Sequence, residues 1–124
     1  MQWRQRLPQI GEPPVRFFRM LGLATRAGKV AKGTPLSLDA VRHRKARLVI
    51  LSAYASEGTK KKITSKCAFY SVPLVIVCIT PERLSHTVGK EKPLVALAVT
   101  DERFATEILQ SSGKDASEQS EGGM

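Results

Sequence analysis

The chain has 124 residues, 42% of them hydrophobic and 25% charged, and a net charge of +9. That length supports one domain with a real core rather than two, and the composition is that of an ordinary globular protein. No run approaches the ~18 apolar residues of a membrane span, and with one Trp, two Tyr and four Phe a broad aromatic platform for single-stranded nucleic acid is not expected.

Pro8, Gly11, Pro13 and Pro14 interrupt residues 1–14, which show no periodicity and are expected to form a flexible or extended arm. From Val15 the pattern turns helical. Phe17, Phe18, Met20, Leu21, Leu23 and Ala24 make a broad apolar face with Arg16, Arg19 and Arg26 largely off it, and Gly28 stands where a helix ends. After a short extended piece at Lys29–Lys32, Thr34 is placed to cap and Pro35 to open a second helix running to about His43. Arg42, His43, Arg44, Lys45 and Arg47 cluster at its end, where positive charge suits the helix dipole.

Leu48–Leu51 is a continuous apolar run, as in a buried strand. A turn over residues 52–58 leads to a third helix with Ile63, Cys67 and Tyr70 on one face and Lys60, Lys61, Lys62 and Lys66 on the other. A second strand is expected over Leu74–Ile79, and Thr80-Pro81-Glu82 repeats the cap-and-proline device for a short fourth helix stopped by Gly89. A third strand follows over Leu94–Val99. Asp101 caps a last helix bearing Phe104, Ala105, Ile108 and Leu109, and residues 111–124 read as a disordered acidic tail. Helices alternating with apolar strands predict an α/β fold, with one domain over residues 15–110.

The charge is one-sided. Residues 1–70 carry 15 Lys/Arg and 3 Asp/Glu, whereas residues 71–124 carry 5 and 8. Such a field suits a polyanionic partner and equally a solvated surface. The strongest local candidate site is the helix start at Lys29–Leu36, where unpaired amides, Gly33, Lys29 and Lys32 would suit a phosphate or a base edge. The basic stretches at Arg42–Arg47 and Lys60–Lys62 come next. No phosphate-binding glycine loop, GxSxG, HExxH or paired carboxylate marks an enzyme, so no catalytic residue is assigned. Cys67 and Cys78 lack metal-ligand spacing and read as small core residues. No metal or cofactor is expected, and without a signal-peptide pattern the expected compartment is the cytoplasm.

Met20-Leu21-Gly22-Leu23-Ala24-Thr25-Arg26-Ala27-Gly28-Lys29 resembles the opening of the bacterial YlxQ-type ribosomal proteins. Gly33 to Lys45 followed by Ala46-Arg47-Leu48-Val49-Ile50-Leu51, then Cys67 with Val72-Pro73, then Leu84 to Gly89, resemble successive blocks of the wider kink-turn-binding ribosomal superfamily, the L-seven-Ae and L-thirty-e type. The resemblance implies a three-layer α/β/α sandwich with a mixed four-stranded sheet whose first strand is Val30-Ala31. It also implies a non-enzymatic RNA-binding function, with structured RNA, ribosomal or kink-turn-containing, as partner and with ribosome or translation proteins as an alternative. By position in the motifs, Gly33, Thr34, Pro35, Leu36 and Asp39 fall on the family's first RNA-contacting segment, and Thr80 and Pro81 on its second. Pro35 and Leu36 stand where the family has polar base-reading residues, and Asp39 where it has a lysine. Lys29, Lys32, Arg26, Arg44, Lys45, Arg47, Lys60 and Lys61 complete the expected RNA surface.

Overall fold

The structure, a computed structural model, describes residues 9–111. The first part of the expected arm (1–8) and the expected acidic tail beyond Ser111 lie outside the described residues. In chain order the elements are β1 (Gln9–Ile10), α1 (Val15–Arg26), β2 (Val30–Lys32), α2 (Thr34–Arg42), β3 (Leu48–Ser52), α3 (Glu57–Tyr70), β4 (Leu74–Val77), α4 (Pro81–Thr87), β5 (Ala96–Val99) and α5 (Glu102–Ser111).

The strands form one mixed sheet in the order β1-β4-β3-β5-β2. β3 runs parallel to β4, and β5 runs antiparallel to both β3 and β2. The four strands expected from the sequence are therefore joined by a fifth. Gln9 and Ile10 pair in parallel with Ile76 and Val77, which ties part of the expected arm to the sheet edge. Arg83 of α4 reinforces this attachment by donating to the Glu12 carboxylate at 2.7 Å while lying over the Phe18 ring at 4.1 Å.

Side chains alternate across a strand, so runs with no polar member require cover on both faces. Leu48, Ile50, Val75, Val77, Leu97 and Val99 pack with α1, α4 and α5. Val49, Leu51, Leu74, Ile76, Ala96 and Ala98 pack with α2 and α3. The small Ala96 and Ala98 let α2 lie close against β5. The result is the three-layer α/β/α sandwich.

Helix ends follow their local chemistry. After α1, Gly28 adopts φ 74° and the Lys29 N–H reaches the Ala24 carbonyl at 2.9 Å, a left-handed closure that glycine allows without strain. Ser56 caps α3 by accepting from the Thr59 N–H, and Thr80 caps α4 by accepting from the Arg83 N–H. α2 differs from the expectation. Its N-cap is Gly33 rather than Thr34, and Pro35 falls at the second helical position.

The second expected strand stops at Val77, short of Ile79. The Ile79 N–H donates to the Val77 carbonyl at 2.9 Å, a three-residue turn that leaves Cys78 exposed and Ile79 buried. Cys78 is thus a surface residue, contrary to the expectation that both cysteines belong to the core, while Cys67 is buried in α3. Burial pushes the Cys67 thiol up to about 12. Iodoacetamide is therefore expected to alkylate Cys78 in the native protein and Cys67 only after denaturation, because the thiolate is the nucleophile. Peptide mass spectrometry reads this directly, and equal native labelling would contradict the placement.

Candidate nucleic-acid interface

The parallel strands β3 and β4 both leave the sheet at one end, and β2 arrives there while β5 sets out from it. Three features gather at that end. Ser52, fully buried, donates through Oγ to the Ile79 carbonyl at 2.6 Å and through its N–H to the Val95 carbonyl at 2.8 Å. Its Oγ also accepts from the Tyr54 N–H at 3.0 Å. One serine thus fixes the approach to α4, the approach to β5 and the turn after β3.

The second feature is Gly33. Its N–H donates to the Ala96 carbonyl at 2.9 Å, its carbonyl accepts the Ser37 N–H, and its φ of 95° with ψ of 162° lies in a region nearly confined to glycine. Among the described residues no side chain caps α2, and Pro35 has no N–H, so the Thr34 and Leu36 amides of the first turn are free to be donated outward. The third feature is the loop from Gly89 to Val95. Gly89, at φ 74°, turns the chain out of α4, and the Leu94 N–H meets the Pro81 carbonyl at 3.4 Å.

These features enclose one continuous surface tract. Gly33, Thr34 and Pro35 face Pro81 and Glu82 across a floor of Pro93, Leu94 and Val95. Adjoining this, Lys32 and Gly33 border the loop carrying Lys90, Glu91 and Lys92. Beyond Gly89 the tract continues between α1 and α4, past Arg19, Arg26 and His86. Its cations are Arg19, Arg26, Lys32, Lys90 and Lys92 against two carboxylates, and none of the five is ion-paired among the described residues. Leu36, 57% exposed, stands in the first turn of α2 beside it.

The expected site residues divide between two ends of the sheet. Lys32, Gly33, Thr34, Pro35, Pro81 and Arg26 line the tract, and Thr80 caps the helix that borders it. Lys60 and Lys61 lie in the first turn and a half of α3, which starts from the same end of the sheet; Lys60 lies 3.9 Å from Glu57. Asp39 lies outside the tract, with its carboxylate 3.0 Å from Arg42 and 3.4 Å from His43, so its charge is compensated along α2. Lys29 sits at the other end of β2, where its carbonyl accepts the Thr100 N–H, roughly 13 Å of strand away from Gly33. Arg44, Lys45 and Arg47 share that far end; the Arg47 N–H donates to the Val99 carbonyl.

Lys90, Lys92 and Arg19 were not among the expected residues. The signal for the lysines is a loop, bounded by Gly89 and Pro93, whose side chains have no apolar pattern to satisfy.

The chain is thus an α/β/α domain with a basic, glycine-started helix end where β3 and β4 leave the sheet. The chain belongs to the ribosomal protein L7Ae/L30e/S12e/Gadd45 family, which matches residues 16–109. It is 41% identical over 95 residues to the RNA-binding protein YlxQ of Bacillus subtilis (strain 168), covering 77% of this chain and 93% of that protein. Over 90 residues it is 36% identical to the RNA-binding protein YlxQ of Enterococcus faecium, covering 73% and 84%. Among solved structures, a protein of unknown function from Bacillus halodurans C superposes with TM-score 0.71 at 32% identity, covering 77% of this chain and 95% of that one. The Giardia lamblia 15.5kD RNA binding protein superposes with TM-score 0.68 at 17% identity, covering 83% and 87%, which establishes the shared fold.

Two substitutions test the construction of the site. Gly33→Ala should destabilise by about 1–3 kcal/mol through backbone strain. A Cβ there would meet nothing nearer than Pro35 Cδ at 3.9 Å, so a clash is not the cause and Gly33→Ser should cost the same. Ser52→Ala should cost about 1–3 kcal/mol by stranding the buried Ile79 carbonyl. Urea denaturation measures both, and a wild-type midpoint in either would refute the corresponding contact.

Proposed function

We propose that this protein is a cytoplasmic, non-enzymatic binder of structured RNA, ribosomal or kink-turn-like, that docks its ligand on the tract at the start of α2. The observation that carries the reading is the joining of free helix amides with five cations that have no carboxylate partner among the described residues. Phosphate oxygens accept from such amides and attract such cations, and each cation displaces counterions from the nucleic acid when it docks. The names of the two YlxQ relatives agree with this ligand class.

The reading differs from simple base recognition in one respect. Pro35 offers no donor and the Leu36 side chain is apolar, so this part of α2 contributes shape and apolar contact to a sugar or base rather than side-chain hydrogen bonds. Positioning then falls to phosphate contacts, which carry no sequence information directly. The exposed Leu36 also favours a second reading, a protein-interaction module in ribosome assembly or translation.

Fluorescence anisotropy with a kink-turn duplex and a straight duplex, at low and high salt, separates these readings. Tighter binding of the kink-turn, with affinity falling steeply as salt rises, is expected. Joint replacement of Lys32, Lys90 and Lys92 by alanine should flatten the slope of log affinity against log salt by about 3. Equal and negligible affinity for both RNAs at low salt would overturn the RNA reading and leave the protein-interaction one.

A further inference from the structure

We propose that the far end of the sheet carries a second RNA contact, for a single-stranded segment, so that one protein can hold two stretches of RNA at once. The inference rests on the RNA reading above and extends it to a surface that the tract does not include.

The observations start from the end of α2. The chain closes that helix with the Arg44 N–H on the Val41 carbonyl at 3.1 Å and the Lys45 N–H on the Ala40 carbonyl at 2.9 Å, which places Arg44 at φ 60°. Glycine is the residue that fits this position without strain. The chain places arginine there instead, and its guanidinium lies over the Tyr70 ring at 5.3 Å. Tyr70 in turn meets Phe69 edge-to-face at 4.9 Å, and Phe69 is 77% exposed. Arg47 donates to the Arg44 carbonyl at 3.1 Å, and the carboxylate of the largely exposed Glu102 lies 3.9 Å from its guanidinium. Between them lies a depression that Tyr70 and Pro73 help to line.

Guanidinium groups gathered near one exposed aromatic ring match a single strand of RNA. The phosphates find Arg44, Lys45 and Arg47, and an unstacked base finds the face of Phe69. An acidic peptide would satisfy the cations and leave the ring bare. A duplex offers no free base face. β3 separates this end from the tract by roughly 15 Å of strand, so the two surfaces can be occupied together.

The test uses two labelled probes on the full chain, a kink-turn duplex and a decauridylate strand. Arg44→Gly is the informative variant, because glycine keeps the left-handed turn and the thermal midpoint should not fall. Arg44→Gly and Phe69→Ala are each expected to weaken decauridylate by about tenfold while leaving kink-turn affinity unchanged. Joint alanine replacement of Lys32, Lys90 and Lys92 should do the reverse, and unlabelled kink-turn RNA should not displace the labelled strand. Three results would overturn the inference while leaving the tract intact: kink-turn binding without decauridylate binding, displacement of the strand by kink-turn RNA, or decauridylate affinity indifferent to Arg44→Gly. Displacement of the strand by a glutamate decamer at equal concentration would reassign the surface to an acidic protein partner. Binding of neither probe would overturn the RNA reading and this inference together.

Discussion

A single buried hydroxyl organises the end of the sheet on which the proposed interface stands. Ser52 ends β3, fully excluded from water, and its polar groups meet the Ile79 carbonyl, the Val95 carbonyl and the Tyr54 amide. A backbone carbonyl left unpaired in such a place costs as much as a lost hydrogen bond. The three segments it joins are therefore held in one arrangement, and Pro81, Leu94 and Val95 can form a wall and floor opposite α2. The loop bearing Lys90 and Lys92 is held to α4 at both ends as well, by the Lys90 N–H on the Ser85 carbonyl at 2.9 Å and the longer contact from Leu94 to Pro81.

The sheet's connectivity explains why charge collects where it does. With β3 and β4 parallel, the helices that follow them must start from the same end, and β2 delivers α2 to that end as well. Open α/β sheets place ligands outside the carboxyl ends of their strands for this reason. Here, among the described residues, the amides of α2 stay uncapped and the lysines around them unpaired, so the region carries a positive potential. Elsewhere on α2 the same chain balances its charge, with Asp39 tied to Arg42 and His43.

The segment before α1 shows how a few contacts override composition. Its prolines and lack of periodicity give no sign of a strand, yet Gln9 and Ile10 take up the exposed edge of β4. Two ladder pairs would be a weak attachment alone. The Glu12–Arg83 pair adds a hydrogen-bonded charge contact whose guanidinium also covers Phe18, linking the edge strand to the helix that borders the tract.

What the sequence settled by itself was the order and kind of the elements from α1 onward. Apolar runs without polar alternation at Leu48–Leu51 and Leu74–Ile79 predicted strands covered on both faces, and Gly28 and Gly89 stood where helices end, at positive φ in the structure. These signals are local, carried by residues within a turn or a strand of one another. The membership of the site was not local. Lys29 and Lys32 are three residues apart in sequence, yet β2 carries them to opposite ends of the sheet, while Lys90, distant in sequence, comes to lie beside Lys32. Cys78 looked like core because it continues an apolar run, and only the turn closed by Ile79 on Val77 sends it outward. Pairing register and crossover direction decide which side chains meet, and both are set by contacts between segments far apart in the chain, so they became visible only in the folded structure.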